Sequence, residues 1–305
     1  MNNYPGGVWP VMLTPFERDG SIDERGLRAL IEWYIDSGVS GMFASCQSSE
    51  IFRLDGQERV RIASITVEQV AGRMPIVASG HTPDSLREQA DGIEKMAATG
   101  VDAVILLTNR FARQDENDSV WADNLMKLLD MIDPSIRLGL YECPYPYKRL
   151  MTNELLKLCA GTGRFYFMKD TCCDAKTIAS RVKALEGTNL RLYNANTTTL
   201  LETLRSGAHG YSGIMANFHP ELYVWLTTNY MSQNAPRVQD ALTLGSLIER
   251  QLYPVNAKYH LTNIEKLPIQ TYSRVQDDAL LTDTFREEVH MMDRFMTDVY
   301  GRYCV

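Results

Sequence analysis

The chain has 305 residues, of which 45% are hydrophobic and 23% charged, as is usual for a globular protein with a large core. Its formal net charge of −7, with no block of Lys and Arg, argues against nucleic acid or a membrane surface as a partner. No apolar run is long enough to span a membrane, the first residues carry no signal-peptide pattern, and six cysteines do not indicate a disulfide framework. We expect a cytoplasmic protein with reduced thiols.

Strand and helix patterns alternate along the first part of the chain. The first helix is predicted to start at the N-cap Asp23. Its apolar residues recur at the spacing of one buried face: Leu27, Leu30, Ile31, Tyr34 and Ile35. A later helix is predicted from the N-cap Thr82, with Pro83 at its first position, to the glycine Gly100. Such alternation is typical of an α/β protein with a parallel sheet.

Eight short strands are predicted, several of them apolar throughout, as in a parallel sheet that helices cover on the outside. They span residues 7–13, 41–45, 75–79, 102–107, 137–141, 165–169, 190–195 and 210–214. Eight strand–helix units predict a (β/α)₈ TIM barrel over residues 1–228. Residues 229–305 show only helical patterns, so we expect a C-terminal helical extension packed on the barrel.

Lys169 ends the apolar strand FYFMK, an unusual place for a lysine. In a TIM barrel the active site lies at the C-terminal ends of the strands. Apolar surroundings lower the pKa of an amine, and a neutral amine can attack a ketone to form a Schiff base. The alternative is a lysine that reaches solvent or pairs with Asp170.

Other strand ends supply further candidates. Tyr141 ends the fifth strand, where Gly139 on the same face would leave room for its ring. The turn CQSSE after the second strand offers backbone N–H groups from Gln47 and Ser48 that can hold a carboxylate. The cysteines at this rim and the histidine His81 match no ligand spacing for a metal, so no metal site is expected.

Taken in order, four segments resemble the dihydrodipicolinate synthase / N-acetylneuraminate lyase family of Schiff-base aldolases. GVWPVMLTPFERDGSID is similar to its N-terminal strand with a Thr-Pro-Phe turn, and YECPYP to its Tyr-Asn-x-Pro segment. MKDTCCD is similar to its Lys-Asp-Ser-Ser-Gly-Asp segment, and SGAHGYSGIMANFHP to its Gly-Ala-x-Gly segment. The resemblance covers almost the whole chain.

The resemblance implies that Lys169 forms a Schiff base with pyruvate or another 2-oxo acid, with no cofactor beyond this covalent bond. Tyr141 would position and protonate the adduct, and Gln47 and Ser48 would bind the substrate carboxylate. A homo-oligomer, a tetramer or a dimer, is also implied. Further residues are expected around the substrate: Ser212 lining the site, and Asn194, Ala195, Asn196 and Phe111 toward its distal part.

Departures from the family pattern concern the second substrate. Gln47 replaces a relay threonine, and an amide cannot shuttle a proton as a hydroxyl can. Phe111 replaces a relay tyrosine. The arginine that holds the aldehyde's carboxylate in the synthases aligns near Pro146, so Lys148 or Arg149 would have to replace it.

Three interpretations follow. The first is a lyase of this family acting on pyruvate or another 2-oxo acid, with an altered second-substrate site. The second is a 2-keto-3-deoxy sugar-acid aldolase or dehydratase, since Gln47, Asn109, Arg110 and Asn196 suit a polyhydroxy chain. In this setting Glu142, where the family has Asn, is a candidate acid/base or hydroxyl ligand. The third is a 2-oxo acid binding protein with reduced catalysis, because two relay hydroxyls are missing.

Overall fold

The structure, a computed structural model, describes residues 4–304. Within this range eight strands form one parallel sheet in which each strand pairs with its neighbours in the chain. The strands are β1 (Gly7–Val8), β2 (Met42–Phe43), β3 (Ile76–Ala78), β4 (Ala103–Leu107), β5 (Leu138–Tyr141), β6 (Phe165–Asp170), β7 (Arg191–Asn194) and β8 (Gly210–Tyr211).

The sheet closes into a barrel. Strand β1 pairs with β8, and the chain after β1 pairs in parallel with β2 through a bridge from Val11 to Phe43. The backbone N–H of Met12 donates to the Phe43 carbonyl at 3.0 Å, and the Phe43 N–H donates to the Pro10 carbonyl at 2.9 Å. The predicted (β/α)₈ barrel with a C-terminal helical part is confirmed.

Helices follow the strands and cover the barrel. They are α1 (Glu24–Asp36), α2 (Gly56–Val70), α3 (Leu86–Ala97), α4 (Asp118–Leu129), α5 (Asn153–Gly161), α6 (Ala175–Ala184), α7 (Leu200–Arg205) and α8 (Pro220–Asn229). The N-cap of α1 is Asp23, whose carboxylate accepts the Gly26 N–H at 2.7 Å. The glycines Gly38 and Gly100, with φ of 78° and 90°, lie just past α1 and α3, where an L side chain would be strained.

The start of α3 differs from the sequence prediction. The helix begins at Leu86 with Ser85 as its N-cap, three residues after Thr82. The Asp84 carboxylate instead pairs with Arg110 at 2.8 Å, which ties this segment to the loop after β4. The strand prediction over 7–13 was also too long, because Pro10 cannot donate a ladder hydrogen bond.

The core has two layers. Inside the barrel, aromatic rings fill the lumen: Trp9 lies 5.1 Å from Phe167, which stacks on Tyr193 at 4.5 Å. Outside, the aliphatic faces of the helices pack against the sheet. Gly139 is required by close packing, since a Cβ there would lie 2.4 Å from Ile105 Cδ1 and 2.7 Å from the Phe167 carbonyl oxygen. It therefore makes room for these groups rather than for Tyr141.

The C-terminal region forms α9 (Ala235–Gly245), a 3₁₀ helix (Ser246–Arg250), α10 (Val255–Asn263) and α11 (Asp283–Tyr303). Helix α11 packs on α9 and α10. A buried ion pair joins this region to the barrel, because Lys258 Nζ of α10 lies 2.8 Å from Glu50 Oε1 after β2. Among the described helices, none has the length and apolar composition needed to cross a membrane.

Candidate active site

A cavity of about 550 Å³ opens at the C-terminal end of the barrel. Its wall consists of residues at the ends of β2, β5, β6, β7 and β8, together with two segments of the C-terminal helical region. Lys169, Tyr141, Gln47, Ser48 and Asn196 all line it. Ala195 lines it as well, so the structure brings six of the predicted site residues into one space.

Lys169 lies at the inner end of this cavity. It is the penultimate residue of β6, its side chain is 4% exposed, and burial lowers the pKa of its amine. Its Nζ lies 4.3 Å from the centre of the Tyr141 ring and 5.9 Å from that of Phe43. The neighbouring Asp170 does not pair with it, because that carboxylate forms a buried ion pair with Arg181. The amine is therefore held among aromatic rings, where its neutral form is favoured.

Tyr141 is placed beside Lys169 by strand register, since the two residues are direct partners between β5 and β6. Burial raises the pKa of its hydroxyl well above the ordinary value, so the group stays protonated at neutral pH. The hydroxyl donates a long hydrogen bond of 3.4 Å to Gln47 Oε1. A protonated hydroxyl is therefore carried by the ring that faces Lys169 Nζ.

The turn after β2 is a short 3₁₀ helix, Gln47–Ser49. Among the described residues, the N–H groups of Gln47 and Ser48 have no hydrogen-bond acceptor. Ser49 holds the turn in place, since its hydroxyl donates to the Met12 carbonyl at 2.6 Å and accepts the Cys46 N–H at 3.1 Å. Two free donors on a rigid turn can receive a carboxylate.

Glu50 fixes the end of this turn in a left-handed conformation, with φ of 63°. Its Oε1 accepts from Lys258 at 2.8 Å, and its Oε2 accepts from the Arg274 N–H at 2.6 Å and the Ser273 hydroxyl at 3.1 Å. A non-glycine residue in this region costs about 1 kcal/mol or more, which the buried contacts offset. The turn thus depends on the C-terminal region for its shape.

Three predicted site residues lie outside the cavity. Asn194 is buried and its amide donates to Thr199 and Thr203 at 2.9 Å each, so it braces the loop after β7. Phe111 belongs to the outer core, 5.2 Å from Trp121, because its side chain points from the loop toward α4 rather than into the lumen. Ser212 is buried beside the cavity residue Gly213, and among the described residues its hydroxyl has no partner.

Other candidates are engaged elsewhere. Glu142 points away from the cavity and accepts the N–H groups of Met151 at 2.7 Å and Thr171 at 2.9 Å. Lys148 donates to the Thr171 carbonyl at 2.8 Å, and Arg149 pairs with Asp118 at 2.9 Å, so neither replaces the synthase arginine.

The buried His81 accepts the Leu107 N–H at 3.0 Å and stacks on Phe111, outside the cavity. It therefore belongs to the outer core and not to the site.

The sequence analysis gave several cavity residues no place at the substrate, among them Glu249 and Cys173. Glu249 lies in the 3₁₀ helix Ser246–Arg250, and burial raises the pKa of its carboxyl. No strand pattern marks it, because it reaches the barrel mouth only through the packing of the C-terminal region. Cys173 has a φ of 60° and occupies the position of glycine in the resembling Lys-Asp-Ser-Ser-Gly-Asp segment. That mismatch was a usable signal of a strained backbone at the cavity wall.

Comparisons with known proteins agree with this geometry. The chain is 23% identical to a 4-hydroxy-tetrahydrodipicolinate synthase of Methanothrix thermoacetophila, over 87% of this chain and 89% of that protein. It is 27% identical to a probable 5-dehydro-4-deoxyglucarate dehydratase of a Bradyrhizobium species, over 82% and 76%. CdNal from Clostridium difficile, solved in complex with mannosamine, has the same fold with a TM-score of 0.81 and 20% identity, over 95% and 98%.

The family profile described as "Dihydrodipicolinate synthetase family" matches residues 4–273, which is most of the chain and includes every cavity residue on the barrel. Its members are lyases, as the names of the synthase and dehydratase relatives indicate. The chain therefore belongs to the dihydrodipicolinate synthetase family, and it is a lyase.

Proposed function

We propose that the chain is a Schiff-base lyase that acts on pyruvate or another 2-oxo acid through Lys169. The observation that carries the proposal is the amine itself, 4% exposed and enclosed by Tyr141 and Phe43 at the end of an open cavity. The neutral amine attacks the keto carbon, and loss of water from the carbinolamine gives an iminium ion. This cation accepts electrons when an adjacent bond forms or breaks, so no further cofactor is required.

The turn after β2 supplies the orientation. A 2-oxo acid bound to Lys169 would place its carboxylate against the free N–H groups of Gln47 and Ser48. Backbone donors at a rigid turn need no reorganisation when the anion binds, which supports tight and specific binding. In this proposal the Cys46–Glu50 segment binds the substrate carboxylate through its backbone, although its side chains differ from the family pattern.

Tyr141 is the proposed acid. Its raised pKa keeps the proton at neutral pH, and its ring lies against the reacting nitrogen. Protonation of the carbinolamine hydroxyl by Tyr141 would release water, and the phenolate would recover the proton in the reverse step. Since Gln47 Oε1 can accept but cannot pass on a proton, the relay beyond Tyr141 has to run through water or through a hydroxyl of the substrate.

A sugar-acid substrate is the second candidate, and Glu249 is the observation that favours it. A carboxylate in the cavity wall repels a second carboxylate on the substrate, whereas it accepts hydrogen bonds from hydroxyl groups. Asn196 and Gln276 add further polar atoms to the cavity wall. The proposed substrate is then a 2-keto-3-deoxy sugar acid, which either splits into pyruvate and an aldehyde or eliminates water.

Borohydride reduction tests the Schiff base directly. The protein is incubated with pyruvate and reduced, and peptide mass spectrometry locates the modified residue. We expect modification of Lys169 in wild type and none in Lys169→Arg, with the exposed Lys148 in the same digests as an internal control. Absence of a Lys169 adduct with every 2-oxo acid tested would refute the proposal.

A turnover panel then separates the substrates. Pyruvate release or water loss from 2-keto-3-deoxy sugar acids is compared with condensation of pyruvate and aspartate semialdehyde. Turnover of the sugar acids would support the second candidate. In that case Glu249→Gln should reduce the ratio of activity on sugar acids to activity on substrates that carry a second carboxylate. Trapping at Lys169 without turnover of any substrate would instead indicate a 2-oxo acid binding protein. The proposal includes a homo-oligomer of two or four chains, which sedimentation analysis would establish.

A further inference from the structure

Three potential metal ligands meet where the C-terminal helices pack on the barrel. His219 is the N-cap of α8, His260 lies in α10 and Asp293 lies in α11. One ligand atom from each lies within 4.8 Å of the other two. None of the three lines the cavity described above. They are far apart in sequence, which explains why no ligand spacing was visible.

We propose that His219, His260 and Asp293 bind a divalent transition-metal ion of the zinc class. Imidazole nitrogens and a carboxylate oxygen are among the usual ligands of zinc, at about 2.0–2.2 Å. In a tetrahedral site such ligands are roughly 3.3 Å apart, as follows from those bond lengths. His260 Nε2 lies 3.4 Å from Asp293 Oδ1, which is the separation that two ligands of one ion require.

The hydrogen bonding within the cluster is incomplete. The two histidines are 3% and 0% exposed, and their rings are T-shaped with centroids 5.2 Å apart. Among the described residues, the buried His219 Nε2 and His260 Nδ1 have no hydrogen-bond partner. The 3.4 Å contact from His260 to Asp293 is also long for a hydrogen bond. Buried nitrogens normally have partners, and an ion bound through His219 Nε2 would supply the one that this nitrogen lacks.

The surroundings suit a cation. Glu221 lies 3.9 Å from His219 Nδ1 and is a second carboxylate at the edge of the cluster. Two imidazoles and one carboxylate would leave the fourth position of a tetrahedral ion for water. The ion would join α8, α10 and α11, and thereby hold the C-terminal region on the barrel.

The competing explanation is a metal-free packing of two histidines with an Asp293 hydrogen bond. It predicts no specific ion uptake. The test uses the full chain after dialysis against a chelator, followed by zinc titration with elemental analysis of the bound ion. Cobalt(II) is titrated in parallel, because its visible absorption reports tetrahedral nitrogen and oxygen ligands.

We expect one zinc ion per chain and a higher unfolding temperature with zinc than without it. His260→Asn and Asp293→Asn should each weaken binding at least about tenfold. His290→Asn is the matched control on α11, since His290 contacts Tyr259 and is outside the cluster. Cys172→Ser with Cys173→Ser removes two neighbouring thiols that are not fully buried and could bind zinc instead, and it should leave zinc binding unchanged.

Failure of wild type to retain zinc after removal of excess metal would refute the site. So would binding that survives His260→Asn but is lost in the cysteine variant. If His260→Asn does not fold, Asp293→Asn decides the question, because Asp293 is partly exposed and its replacement leaves the core intact. Pyruvate trapping at Lys169 is measured in the same samples. A protein that traps pyruvate but binds no zinc would refute only the metal site and leave the proposed reaction standing.

Discussion

Replacement of Tyr141 by phenylalanine removes one oxygen from the candidate site and retains the ring. The ring keeps its position 4.3 Å from Lys169 Nζ, so the surroundings that lower the lysine pKa remain. The lost hydrogen bond to Gln47 is 3.4 Å long, beyond the normal range for hydroxyl donors. We therefore expect a loss of stability below about 1 kcal/mol. General acid catalysis typically contributes 10²- to 10⁴-fold to the rate. Turnover should therefore fall by about this factor, which corresponds to a rise of about 3–5 kcal/mol in activation free energy.

Tyr193→Phe is the matched control. Tyr193 is also a lumen tyrosine paired with Lys169 across the sheet, but its hydroxyl donates to the Pro5 carbonyl at 2.8 Å, away from the amine. This variant should lose about 1 kcal/mol of stability and keep its turnover. The assay is initial rate together with urea unfolding and the rate of borohydride trapping. If Tyr141→Phe kept more than a third of wild-type turnover, the assignment of Tyr141 as the acid would be wrong.

Three further predictions concern buried ionisable groups. Lys169→Met should abolish trapping and leave the urea midpoint unchanged or higher, because a buried unpaired amine is unfavourable; a lower midpoint would contradict this. Glu50→Gln should lower the free energy of unfolding by about 3–5 kcal/mol, since it leaves Lys258 buried without its counter-charge; a loss under about 1 kcal/mol in urea would contradict it. Burial lowers the pKa of His81 from 6.5 to about 3, so the unfolded chain binds a proton that the folded state excludes. Stability should therefore fall as pH drops from 6.5 toward 3, and His81→Gln should reduce this slope by up to about 1.4 kcal/mol per pH unit in acid titrations; parallel slopes would count against it.

The barrel and the residues at the ends of its strands could be predicted from the sequence because they depend on local patterns. Apolar strands alternating with amphipathic helices define the (β/α)₈ order, and a polar residue at a strand end points to the C-terminal mouth. Lys169 and Tyr141 were found in this way, and strand register places them side by side. The N-cap Asp23 was equally local, since its carboxylate bonds three residues ahead.

Residues beyond the strand ends could not be placed in the same way. The loop after β4 directs the Phe111 side chain outward, where it packs against Trp121. The Asn194 amide donates hydrogen bonds to the hydroxyl groups of Thr199 and Thr203 and therefore does not face the cavity. These outcomes depend on contacts between segments that no periodicity records. Glu249 is the clearest case, because only the packing of the C-terminal region brings it to the cavity.

The buried pair between Glu50 and Lys258 has an evolutionary consequence. The loop that would hold the carboxylate common to all 2-oxo acids is tied to the C-terminal region. Glu249 and Gln276 of this region line the cavity and would border the variable end of the proposed substrate. Exchange of the C-terminal region between homologous enzymes would transfer substrate preference, but only when the exchanged region keeps a lysine that pairs with Glu50, as Lys258 does here. A C-terminal region without that lysine would loosen both the turn after β2 and the part of the cavity wall that selects the substrate. Substrate preference and the ability to bind any 2-oxo acid would then change together.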